Sequence, residues 1–116
     1  MQGKRLDRVN QLIKEEISLV LQRELKDPRL GFVSVTEVET ASDLKVAKVF
    51  VSVLGEESKW VSSLAALKSA RGFIRHWLRS HLDLRVTPEL DFRPDRSMAH
   101  AARIQALLKG LHVDDA

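Results

Sequence analysis

The stretch LKSARGFIRHWLRS, Leu67 to Ser80, reads as one helix interrupted in its middle. Leu67, Ile74 and Leu78 continue the apolar spacing of Trp60 and Leu64, yet Gly72 falls inside the pattern, where glycine costs about 1 kcal/mol relative to alanine. Lys68, Arg71, Arg75 and Arg79 recur at helical spacing, so an unbroken helix would carry all four on one stripe. The interruption and the cationic stripe coincide.

Outward from this stretch the chain alternates between helical and strand periods. Leu6, Val9, Leu12, Ile13, Ile17, Val20, Leu21 and Leu25 predict a first helix from about Arg5 to Leu25, which Asp27-Pro28 ends. Phe32 to Thr40, rich in β-branched residues, predicts a strand. In KVAKVFVSVL, Lys45 to Leu54, Ala47, Val49, Val51 and Val53 point one way and Lys48 and Ser52 the other. Ala41-Ser42-Asp43 supplies the turn, so the two strands form a hairpin. The interrupted helix runs from about Glu57 to Leu82. LRVTPELDFR, Leu84 to Arg93, then sets Val86, Leu90 and Phe92 against Arg85, Glu89, Asp91 and Arg93. Pro88 cannot donate to a ladder, which makes this third strand an edge. Asp95 is the N-cap expected of a last helix carrying Met98, Ala101, Ile104, Leu107 and Leu108, with Gly110 as its stop. Helices on one face of a three-stranded sheet follow, an α+β domain.

Length and composition narrow the function classes. A chain of 116 residues with 44% hydrophobic residues is one domain with one core. The expected folded part is about residues 4–110, with 111–116 as a flexible tail. No run approaches the roughly eighteen apolar residues of a membrane span, and the first residues lack the apolar block of a signal peptide. A soluble, cytoplasmic protein is expected. The absence of cysteine excludes disulfides, thiolate metal sites and cysteine nucleophiles. The net charge is +3, but residues 59–83 hold five basic groups against one acidic, so the positive field concentrates on the interrupted helix, as a polyanion footprint would.

The element order is that of a type II KH domain, in which two helices meet at a GxxG loop that clamps a nucleic-acid backbone. Ser69-Ala70-Arg71-Gly72 stands where the loop belongs and supplies only its last glycine. The sequence resembles the bacterial ribosome-binding factor A family, whose KH-like fold replaces GxxG by a kink built on Ala-x-Gly, here Ala70-Arg71-Gly72. The likeness extends through RLDRVNQLIKEEIS, KDPRLGFVSVTEVETASDLKVAKVFVSVL, LKSARGFIRHWLRSHLDLRVTPELDFRPDRS and ARIQALL, nearly the whole chain. It implies a factor that associates with immature free small ribosomal subunits, binds 16S ribosomal RNA and assists late maturation and rRNA processing, notably in the cold. It also implies other assembly factors as partners, a KH-containing GTPase among them, and a monomer without cofactor or metal.

Gly72, lacking a Cβ, lets the backbone bend and a phosphate approach, while Ala70 is small enough not to block the crossing of the half-helices. A fixed bend at Gly72 predicts that Gly72→Ala destabilises the fold and weakens subunit binding further. The second half-helix then presents its N-terminus as an anion site beside Arg71 and Arg75. RNA contact is therefore expected from Lys68, Ala70, Arg71, Gly72, Arg75 and Arg79. Lys4, Arg5 and Arg8 join them, because positive charge at the start of a helix opposes the macrodipole unless a polyanion covers it. Trp60, Phe73 and Trp77 lie beside the apolar stripe and are expected in the core rather than stacked on bases. No catalytic residue is expected: His76 and His81 fall on different helix faces, His100 and His112 lack companions at metal spacing, and Glu37, Glu39 and Asp43 read as a solvated sheet edge and turn. The alternative to an RNA binder is a KH-like protein-interaction module that recruits other assembly factors.

Overall fold

The computed structural model describes residues 2–115, with backbone alone for Gln2, Ala99 and residues 110–115. Helix α1 (Gln2–Leu19) buries Ile13 and Ile17 and passes into a π-helical turn, Val20–Glu24, closed by Leu25 N donating to Val20 O at 2.9 Å. The wider turn brings the neighbours Val20 and Leu21 into the core together. The helical run ends ahead of Asp27-Pro28, as the proline requires.

Strands β1 (Phe32–Thr40) and β2 (Val46–Leu54) form the expected antiparallel hairpin. Ala47, Val49, Val51 and Val53 are all buried, one face of a period-2 strand. In β1 the alternation is broken by a bulge: Val35 pairs with Val51 and Glu37 with Phe50, so Thr36 is extra and Val35 and Val38, three apart, both face inward. Leu44 closes the hairpin turn at φ 63, a left-handed conformation that costs a branched side chain about 1–2 kcal/mol. At the other end of β2, Gly55 adopts φ 129, which only glycine takes without strain, and turns the chain into helix α2 (Glu57–Ser69).

Helix α3 (Arg71–His81) follows α2 after the single residue Ala70, and strand β3 (Glu89–Pro94) then pairs parallel to β2. The strand order is β1-β2-β3, so β3 is an edge, as Pro88 implies. The expected start of this strand at Leu84 is corrected: pairing begins at Glu89, after the proline, and Val86 is 40% exposed rather than inward. Leu67, Ile74 and Leu78 join the inward residues of all three strands and Ile13 and Ile17 in one buried cluster, so α1, α2 and α3 cover a single face of the sheet.

Helix α4 (Ser97–Asp115) departs from expectation in two ways. It passes Gly110 rather than stopping there, and Ala116 lies outside the described residues. Its apolar residues are uncovered as well, with Met98 64% and Leu107 63% exposed and Ile104 and Leu108 also open. The root of the helix is nevertheless held. Asp95 accepts from Ser97 N at 3.0 Å, Ser97 Oγ at 2.6 Å and Thr36 Oγ1 at 2.6 Å, while the Arg96 guanidinium lies 4.3 Å above the Trp60 ring and pairs with Glu57 at 2.8 Å. Asp95 therefore caps from one residue before the expected position, and the bulged Thr36 supplies its second anchor.

Candidate nucleic-acid interface

The break between α2 and α3 is made by Ala70 and not by Gly72. Ala70 sits at φ −89, ψ 1, where its N–H still reaches Ala66 O at 3.0 Å while its carbonyl accepts from Ile74 N at 2.9 Å. One residue thus caps both helices, in a backbone region open to any side chain. Gly72 lies in the first turn of α3 without a positive φ, and a Cβ built on it would meet nothing within 4 Å. The expectation of a bend fixed at Gly72 is corrected on both counts. What the glycine does is leave open space over the start of α3, whose first turn has neither a side-chain cap nor an acidic residue. No side chain caps its first backbone N–H groups.

Because the break falls at Ala70, the stripe is divided: Lys68 belongs to the last turn of α2, and Arg71, Arg75 and Arg79 to α3. The three arginines do not serve alike. Arg71 Nε donates back to Lys68 O at 3.2 Å, which satisfies a terminal carbonyl of α2 and leaves the guanidinium exposed over the break. Arg75 reaches across to the start of β3, with Nη2 to Thr87 O at 2.9 Å, Nε to Thr87 O and Pro88 O at 3.3 Å each, and Glu89 at 3.9 Å. Its Nε and Nη2 are engaged by protein carbonyls, so it fixes α3 to the start of β3. Lys68 and Arg79 are exposed.

Helices α1 and α3 run antiparallel. Trp77 Nε1 donates to Glu16 Oε1 at 3.0 Å midway, Leu25 to Arg29 line a shallow depression with Ala70 and Phe73 at one end, and Leu6 and Leu84 line a cavity together at the other. Two exposed cations that spacing alone does not single out, Lys26 and Arg29, are thereby brought beside the break. Arg29 is partly offset by Asp27, which it grips at 2.7 Å and whose carboxyl this hydrogen bond holds below its ordinary value. Lys4, Arg5 and Arg8, all exposed on the first turns of α1, stand at the opposite end and form a second cationic group.

Of the aromatics, Trp60 is 3% exposed, and Trp77, half-buried, is stacked on His81 with ring centroids 3.8 Å apart. Phe73 departs from the expected core position: it is 47% exposed, on the far flank of α3 from the arginines and against the Lys26–Arg29 loop. Among the described residues no group of three His, Asp or Glu side chains is placed to hold a metal ion, and no helix is long and apolar enough to cross a membrane.

The comparisons with known proteins agree with this geometry. A family model described as Ribosome-binding factor A matches residues 5–108. Ribosome-binding factor A of Brevibacillus brevis is 45% identical over 114 residues, covering 98% of this chain and 94% of the relative. That of Carboxydothermus hydrogenoformans is 50% identical over 105 residues, covering 90% and 84%. The crystal structure of ribosome-binding factor A from Thermus thermophilus superposes with a TM-score of 0.71 at 28% identity, over 79% of this chain and 98% of that one. A homology model of the Thermus thermophilus factor, fitted into a cryo-EM map of a complex with 30S, superposes at 0.63 with 30% identity, over 74% and 90%. A helix–strand–strand–kinked helix–strand–helix chain, with Ala-x-Gly at its kink and relatives of this identity along almost its whole length, belongs to the ribosome-binding factor A family.

Proposed function

We propose that this chain is a monomeric cytoplasmic factor that binds immature 30S subunits through 16S ribosomal RNA and assists their late maturation and rRNA processing, notably in the cold, with no chemistry, cofactor or metal of its own. The observation that carries this reading is the break at Ala70, where an uncapped helix start, the open space over Gly72 and the exposed cations Lys68 and Arg71 converge. Backbone N–H groups and a macrodipole favour an anion there, and the missing Cβ lets a phosphate come close. Arg79, Lys26 and Arg29 extend the positive field, and Lys4, Arg5 and Arg8 supply a second contact at the far end of α1.

Reversing Arg71 and Arg79 to glutamate tests it, since neither holds the fold as Arg75 does. Subunit pelleting across a salt series should show weaker binding and a slope shallower by about 0.7 in log K for each phosphate of single-stranded RNA no longer neutralised. Unchanged affinity and slope in the folded double variant would refute the RNA reading. The uncovered apolar side of α4 favours a second reading, in which this helix docks another assembly factor, such as a KH-containing GTPase.

A further inference from the structure

The start of α1, the hairpin turn and the loop between α3 and β3 enclose a cavity of about 490 Å³, at the other end of the α1–α3 pair from the break. That volume lies within the roughly 300–1,000 Å³ of clefts that take small ligands. Its floor is apolar, made by Leu6, Val9, Leu44, Leu84 and Val86. Two of these residues are anomalous. Val86, ahead of β3, leaves its apolar side chain 40% exposed, and Leu44 is the one non-glycine among the described residues with a positive φ. The turn is held in that state by Leu44 N donating to Ala41 O at 2.8 Å and Lys45 N to Asp43 Oδ1 at 3.0 Å. A glycine would be relaxed there, whereas the leucine carries the strain and places its side chain on the cavity wall.

The rim carries Arg5 and Arg85 beside Asp43 and Asp83, all exposed, and among the described residues no ion pair joins these arginines to these aspartates. Lys4 and Arg8 add positive charge on the same helix. Two guanidiniums suit phosphates, but a carboxylate facing RNA is repelled by them unless it accepts hydrogen bonds from a base. Donors of that kind are the exocyclic amino groups of adenine, cytosine and guanine, whereas the one base donor of uracil, its N3–H, lies between two carbonyl oxygens that repel a carboxylate. An apolar floor takes the faces of such a base, and a splayed base brings a phosphate to either side of itself.

We propose that this cavity receives one unstacked nucleobase bearing an exocyclic amino group, with Asp43 or Asp83 accepting from that group and Arg5 and Arg85 holding the adjacent phosphates. This rests on the RNA-binding reading above and assigns it a base-selective pocket that the break at Ala70, a backbone contact, does not provide.

Methyl NMR titration of the full chain with two RNA hexanucleotides, (AC)3 and U6, separates the two claims, since both probes carry the same charge. The (AC)3 probe should shift the Leu44 and Val86 methyls and bind at least roughly fivefold more tightly than U6. Asp43→Asn with Asp83→Asn, which replaces each charged acceptor by a weaker neutral one, should reduce that preference. Leu44→Gly should do the same while melting no lower than the parent, because it relieves the strained φ. Arg71→Glu should weaken both probes alike and leave the preference intact. Equal binding of the two probes overturns the pocket and spares the RNA reading, whereas no binding of either overturns both. Leu44 and Val86 signals that respond to a small-subunit protein and to neither RNA overturn the pocket in favour of protein docking.

Discussion

Helices α3 and α4 both carry apolar residues at helical spacing, yet α3 buries Ile74 and Leu78 completely while α4 leaves Met98, Ile104, Leu107 and Leu108 open. The difference is not in their periodicity. A three-stranded sheet offers one inward face of limited width, and α1, α2 and α3 already cover it. Spacing reports that a helix has an apolar side, and the number of layers decides whether anything lies against it. The two helices are also rooted differently. Arg75 ties the middle of α3 to the start of β3, whereas, among the described residues, the side-chain ties of α4 lie at its base, with Asp95 and Arg96.

The most forceful way to break this comparison is truncation of matched apolar side chains. Leu78→Ala should cost about 2–5 kcal/mol in denaturant unfolding, as a buried cavity does, and Leu107→Ala no more than about 0.5 kcal/mol. Equal losses would mean that α4 packs in solution. Next in size is the strap on α3: Arg75→Ala should cost about 1–2 kcal/mol through the carbonyls of Thr87 and Pro88 left without donors, and Arg79→Ala should leave the melting temperature within experimental error. A subunit affinity that falls in Arg79→Ala and holds in Arg75→Ala sharpens the division between contact and support. Gly72→Ala tests the start of α3. With open space around the new methyl and no positive φ, it should raise stability by about 0.4–1 kcal/mol while lowering subunit affinity, so a destabilised variant would restore the bend to Gly72.

The smallest effect belongs to the root of α4. Hydrogen bonds from Ser97 and Thr36 hold the Asp95 carboxyl below its ordinary value. A group depressed in the folded state contributes stability above its unfolded pKa and loses it as pH falls through the folded one. Protection of the Ser97 amide, its exchange rate relative to the intrinsic rate at each pH, should therefore fall on acidification below the ordinary aspartate range, and Asp95→Asn should remove that dependence.

Much of this was legible in the residues, for reasons that can be named. β2 alternates cleanly, so its inward set was fixed by spacing, and the Asp27-Pro28 stop and the element order were equally plain. The bulge at Thr36 left only a faint mark, Val35 and Val38 standing three apart instead of two, because Thr36 is itself β-branched and reads as an ordinary strand residue. Val86 continued the alternation of Leu90 and Phe92 although Pro88 intervened, which extended the expected third strand back beyond its true start at Glu89. Gly72 stood out as the break because glycine weakens helices, but a ψ near 0 suits alanine equally and was met two residues earlier. Nor does spacing reveal what lies opposite a side chain. Arg75 and Arg79 are equivalent on a helical wheel, and only the position of the Thr87 carbonyl separates them. The nearness of Lys26, Arg29 and Phe73 to the break is likewise a product of antiparallel packing between segments distant in sequence.

The parallel pairing of β3 with β2 bears on when the interface comes into being. The β1–β2 hairpin needs only a short loop and forms locally, but β3 meets β2 only after everything from Gly55 to Pro88 has crossed over. Pairings of that span are the slow ones, and synthesis delivers β3 after the helices that it must anchor. The carbonyls that restrain Arg75, and the Val86 wall at the far end of α3, arrive with this last strand. A chain still short of Pro94 holds the cations of α3 before the sheet that positions Arg75 is closed.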